Sequence, residues 1–171
     1  AHTIHFAQVS ENYWLAQIDF VMTNAILDNN PPYGDGNQPG SGRCEVIEMW
    51  GFQNGMWAAH LRYGLNHSNG SPQIFNTWQA DLERDRFWEN GFIAYGWQYD
   101  IQDDNALNPA GVNESPGLTD NIQGYDQQKI FSKMTTGMLS GQQQRLLLQQ
   151  LPPASGLDIT EFENLANMYG L

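Results

Sequence analysis

The chain has 171 residues, enough for one domain with its own core. Hydrophobic residues make up 40% and aromatics 12% of it, a composition that excludes a disordered polymer. Seven Lys and Arg against nineteen Asp and Glu leave a net charge of −12, which repels phosphate backbones and anionic lipid and argues against them as partners.

No apolar run approaches the ~20 residues of a membrane span. Few lysines, many Asn and Gln and a start without Met fit a secreted or periplasmic chain. Asn66-His-Ser, Asn69-Gly-Ser and Asn113-Glu-Ser would be glycosylated in a eukaryotic secretory route. The single cysteine, Cys44, excludes an internal disulfide framework and a multi-cysteine metal site, and is expected to be buried and inert.

In chain order, "AHTIH" comes first. A free terminal amine with His2 and His5 could bind copper if Ala1 were the mature end, but a frayed terminus is the expectation. Ser10 caps a helix running to about Asp28, with Trp14, Ile18, Val21, Met22 and Ala25 at helical spacing. "NNPPYGDGNQPGSG" at 29–42 is a long loop, either mobile or draped against the body.

From 43 to 65, Val46, Trp50, Trp57, Leu61 and Leu65 again fit a helix, open to a break at Gly51 or Gly55. Ser71 and Pro72 start another, carrying Ile74, Phe75, Trp78 and Leu82 and closed by Gly91. Ile93, Tyr95, Trp97, Tyr99 and Ile101 alternate at period two, the pattern of a strand. Residues 102–121 form an Asp/Asn/Pro/Gly-rich loop. A helix over 122–139 follows, and Ser140-x-x-Gln143 and Asp158-x-x-Glu161 are capping boxes that open two more. The sum is a mainly α, single-domain multi-helix globule spanning 1–171, with long Pro/Gly and Asp/Asn loops and one short strand element near 92–101.

Several residue types in this pattern could carry chemistry. Glu48, beside Trp50 and Phe52, could act as a general acid with its pKa raised by desolvation, and His60 as a base or proton shuttle. On one unbroken helix they stand roughly 18 Å apart along the axis, so a joint site needs a fold-back at Gly51–Gly55. Asp100, Asp103 and Asp104, with Asn105, Glu114 and Asp120, offer oxygen ligands for calcium, although the EF-hand pattern fails. No other cofactor is expected. Tyr33, Trp57, Trp97 and Tyr99 are candidate ligand-binding aromatics, Tyr33 being the one expected to be exposed.

Two functions follow. The first is an exported, non-catalytic helical domain that binds a ligand or a partner protein, as an accessory subunit or binding module. Its partner would be a protein or a neutral or cationic ligand. The alternative is a small secreted hydrolase of polysaccharide or cell wall, with Glu48 as acid and His60 or an aspartate from 100–104 as second group.

Overall fold

The computed structural model describes residues 2–63, 91–102, 122, 124–151 and 159–171. They form seven α-helices and one π-helical turn, and no strand occurs among them. None of these helices is long and apolar enough to cross a membrane.

The chain opens on a short helix, α1 (His2–Gln8), where a frayed end was expected. What holds it is burial. His5 is fully enclosed, its ring 5.5 Å from that of Tyr13 and 5.8 Å from that of Trp14. Helix α2 (Glu11–Met22) starts where the sequence indicates, with the extended Ser10 accepting a hydrogen bond from the Tyr13 N–H. It runs on through a π turn at Thr23–Leu27, in which the Asp28 N–H reaches back to the Thr23 carbonyl.

The Pro/Gly loop that follows is draped. Gln38 Oε1 accepts from the Asp35 N–H at 2.9 Å, and Asp35 Oδ1 accepts from the Asn37 N–H. Gly36, at φ +89°, lies so close to Phe92 that a Cβ would stand 2.9 Å from that ring's own Cβ. Tyr33 is half-buried against the core.

Helix α3 (Ser41–Tyr63) is continuous for 23 residues, with no break at either glycine. Gly51 has a different use: the His2 ring of α1 occupies the place a Cβ would take, so the missing side chain is a notch for α1. Cys44, Val46, Ile47, Met49, Trp50 and Gln53 are all buried, which makes α3 the central helix.

The segment at 92–101 is not a strand. It bends after Gly91 and closes into the one-turn helix α4 (Trp97–Asp100), with the Asp100 N–H bonded to the Gly96 carbonyl. Neighbours in sequence are buried together here, Ile93 with Ala94 and Trp97 with Gln98, so no open face exists for period two to mark. The helix expected over 122–139 is short, α5 (Gln127–Ser132), capped by Asp126. The Thr-Thr-Gly run after it has low helix propensity, and a turn carries Met134 and Met138 into the core instead.

Ser140 caps α6 (Gly141–Leu148) by accepting from the Gln143 N–H, while Gln143 Oε1 accepts from the Leu139 N–H at 2.6 Å. Helix α7 (Ile159–Met168) closes the fold. The start of the second capping box, Asp158, lies outside the described residues.

The main core joins α3 to the described segments C-terminal of it. Trp97 sits at its centre, edge-on to Phe162 at 5.3 Å and to Tyr169 at 6.0 Å, and Trp50 stacks on Phe131 at 5.2 Å. Helices α1 and α2 lie outside this core. They attach through a small cluster of Val9, Tyr13 and Ile47, with Trp14 packed against it. Polar ties support the contact: the Tyr13 hydroxyl donates to the Met138 carbonyl at 2.7 Å, and Gln8 Nε2 donates to the carbonyls of Phe131 and Met134.

Candidate functional site

Glu48 lies on α3 under the draped loop. Its carboxyl is half-buried and its pKa is raised by desolvation. The groups that feel its charge are the Tyr33 hydroxyl and the Cys44 thiol, both raised by burial first and by Glu48 second. Cys44 is fully buried and its thiol is pushed up to about 12, which leaves it no thiolate at neutral pH. Since α3 is unbroken, His60 stands roughly 18 Å from Glu48 along the axis. The side chains of His60 and Trp57 lie outside the described part of the structure.

The remaining sequence candidates are placed as follows. Trp97 is core, with no exposed surface. Tyr99 is half-buried on α4. Asp100 is buried and its Oδ2 accepts from the Tyr169 hydroxyl, which ties α4 to the C-terminal segment. Asp103 and Asp104 lie outside the described residues. Among the described residues, no three His, Cys, Asp or Glu side chains gather where they could hold a metal ion.

A second carboxylate was not singled out by the sequence. Glu45 Oε2 accepts from the Gly141 N–H at 2.8 Å, at the first turn of α6. Burial pushes its pKa up to about 7, against the lowering effect of that bond. It joins α3 to α6 at a point where Gly141 has no room for a Cβ, with Glu45 Oε2 only 2.7 Å from the place it would take.

The most unusual surface is on α2. At 100° per residue, Leu15, Ile18, Met22 and Ile26 fall within roughly 80° of one another, an apolar seam at coiled-coil-like spacing. Tyr13, Gln17, Phe20 and Asn24 fall within about 60° on the opposite side. The structure turns the second set inward. Gln17 and Asn24 are each 4% exposed, whereas Leu15, Ile18, Met22 and Ile26 are 50–62% exposed and Leu27 76%. The Gln17 amide lies beside the Cys44 thiol and lowers its pKa, yet neither amide atom completes a hydrogen bond. Of the helical spacing Trp14, Ile18, Val21, Met22 and Ala25, Trp14 and Val21 are half-buried, Trp14 against the small cluster, while Ile18, Met22 and Ala25 face solvent.

On α1, Ile4 and Phe6 are also about half-exposed, and the Phe6 ring is 6.2 Å from that of Trp14. Seven large apolar side chains on these helices and the π turn are thus 48–76% exposed.

Beside the seam, between α2, the π turn and the start of α3, lies a cleft of about 530 Å³. Asp19, Asn24, Asp28, Gln38 and Arg43 supply its polar lining, and Phe20 an aromatic wall. The Arg43 guanidinium sits over the Tyr13 ring at 5.4 Å. Asn24 Nδ2 and Arg43 Nε are buried donors with no hydrogen-bond partner. Such a group costs ~1–3 kcal/mol when left unmet.

Sequence patterning missed both features, although a signal was present. Gln17 and Asn24 stand seven residues apart on a helix that already carries a full apolar stripe. No protein-family model, no curated protein and no solved structure matches the chain.

Proposed function

We propose that the chain is an exported, non-catalytic binding module that docks a helix of a partner protein on its α1–α2 face. The observation that carries this is the inverted polarity of α2, which buries Gln17 and Asn24 and opens Leu15, Ile18, Met22 and Ile26. An i, i+3, i+7 apolar seam suits an amphipathic helix, whose own apolar face would leave water against it.

Charge identifies the kind of helix. The first 42 residues contain Glu11, Asp19, Asp28 and Asp35 and no Lys or Arg. Glu11 and Asp19, the charged residues of α2 itself, suit a partner whose apolar stripe is flanked by Lys or Arg. A second copy would bring the same carboxylates and a net charge of −12 against its like. The acidic, lysine-poor composition supports the exported location.

The test is fluorescence anisotropy with two labelled helical peptides that share a leucine seam, one flanked by lysines and one by glutamates. The lysine peptide is expected to bind at 1:1 stoichiometry and the glutamate peptide not to bind. Ile18→Glu abolishes binding while the melting temperature holds. Binding of neither peptide, or unchanged binding by the variant, overturns the proposal. So does light scattering that shows a dimer broken by Ile18→Glu, which would make the occupant a second copy.

A further inference from the structure

Helix α1 is held to the body by one enclosed side chain. Of His2–Gln8 only His5 is buried, and the rest are exposed. The His5 ring stands edge-on to Tyr13 and Trp14, and neither Nδ1 nor Nε2 has a hydrogen-bond partner. With no accessible surface, it is closed to a metal ion as well. A neutral imidazole tolerates that place. An imidazolium does not, because it brings a charge and a second N–H donor into a cage without an acceptor.

The charges around the cage have the wrong sign to help. On α1 itself, the His2 ring is 5.5 Å from that of Trp14. From α2 comes Tyr13, which burial keeps neutral, and from α3 the Arg43 guanidinium over the Tyr13 ring. From α5, Lys133 lies between Phe131 and Met134, whose carbonyls receive Gln8. Glu11 is exposed, and the charge of Glu48 acts on Tyr33 and Cys44 instead. Burial first and His2 second hold His5 at about 4 in place of 6.5. The docked position of α1 is therefore favoured above pH 6.5 and disfavoured as pH falls towards 4.

We infer that α1 is an acid-released arm: when His5 takes up a proton, α1 leaves the body as a unit, hinged at Val9 and Ser10, while the rest stays folded. The hinge is built for this. Val9 is anchored in its own cluster with Tyr13 and Ile47, and the extended Ser10 caps α2 without help from α1. The main core contains no residue of α1. The Gln8 bonds go to backbone carbonyls that water can serve, and a helix of seven residues is marginal alone. Glu45, raised to about 7 by burial, is neutral in acid and keeps α3 joined to α6 there. Release carries Ile4 and Phe6 off the α1–α2 face and empties the Gly51 notch. It thereby regulates docking, and only this consequence rests on the helix-docking reading.

Backbone order parameters from ¹⁵N relaxation follow arm and core separately. At pH 7 the α1 amides should lie near ~0.85, and at pH 3.5 below ~0.6, with Trp97 and Leu165 unchanged. His5→Phe keeps α1 ordered at both pH values. His5→Lys, charged throughout, frees α1 already at pH 7, which keeps the test open should the first variant not fold. It also weakens the lysine-flanked peptide at pH 7 about ten-fold, with the carboxylates still ionised. Ile18→Glu abolishes peptide capture and leaves acid release intact. A peptide that binds no form of the chain overturns the docking reading and not the arm. The arm falls if α1 stays ordered at pH 3.5, if the core loses order with it, if His5→Phe releases like the unsubstituted chain, or if His5→Lys stays docked. Unchanged peptide affinity in a released His5→Lys overturns the regulatory consequence.

Discussion

Gln17 and Ile18 are neighbours in the chain and stand on opposite faces of α2, the amide 4% exposed against Cys44 and the aliphatic side chain 53% exposed. Hydrophobic burial alone would rotate the helix the other way, since each buried aliphatic side chain contributes ~1.5–3 kcal/mol. The observed orientation is held by Tyr13, whose ring packs on His5 and Arg43 and whose hydroxyl is bonded to Met138.

That orientation predicts an unusual pair of mutational effects. Ile18→Ser and Ile26→Ser should each change stability by no more than about 0.5 kcal/mol, as surface substitutions do. Gln17→Leu removes a buried amide without a complete hydrogen bond, and should be neutral or stabilising by about 1 kcal/mol. Urea denaturation measures all three. A loss above about 2 kcal/mol for Ile18→Ser would mean that Ile18 is packed against something.

Stability against pH follows from two buried groups with opposite shifts. Burial raises Glu45 from 4.5 to about 7, so its contribution is fully present below pH 4.5 and is lost as pH rises towards 7. Burial, helped by the charge of His2, lowers His5 from 6.5 to about 4, so its contribution is present above pH 6.5 and is lost as pH falls towards 4. Each is worth about 3 kcal/mol as a ceiling, and in the shared window the two slopes oppose.

Single variants separate them. Glu45→Gln keeps an acceptor for the Gly141 N–H and carries no charge. It should match the unsubstituted chain near pH 4.5 and exceed it in stability by pH 7.5. His5→Phe should remove the loss on the acid side. Denaturation midpoints taken across pH 4–8 check both signs, and profiles parallel to the unsubstituted chain would contradict them.

Local signals in the sequence translate directly into structure. The Ser10 and Ser140 caps sit where hydroxyl and helix spacing put them, because a cap is a contact within four residues. The central position of α3 is equally legible, since apolar residues cover most of its circumference. Long-range choices are not legible. Gly51 reads as a breaker until the His2 ring is seen filling its notch, and the apolar stripe of α2 reads as an inner face until Tyr13 is seen fixing the other one. The period-two aromatics at 93–101 mislead for a related reason. A segment in which sequence neighbours such as Ile93 and Ala94, or Trp97 and Gln98, are buried together leaves no alternating solvent face to set a period.

Within the core, Trp97 bears the greatest cost. It has no exposed surface and lies edge-on to both Phe162 and Tyr169. Trp97→Ala should destabilise by ~3–5 kcal/mol, with loss of near-ultraviolet circular dichroism at room temperature. A variant that keeps its native spectrum and melting point would remove Trp97 from the centre of the fold.

Cys44 should be silent in the folded chain. Its thiol is buried and pushed up to about 12, so a disulfide-exchange reagent such as dithionitrobenzoate should react only after denaturant is added. Rapid reaction without denaturant would show that the contact between α2 and α3 opens readily.

The central claim is that the α2 seam faces water in the free chain and a helix in the complex. Carbene footprinting of the monomer reads this residue by residue, with and without the lysine-flanked peptide. Leu15, Ile18, Met22 and Ile26 should label many-fold more than the buried Ile47 and Ile93 in the free chain, and lose that labelling at saturating peptide. If they label no more than Ile47 before peptide is added, or keep their labelling afterwards, the account is contradicted.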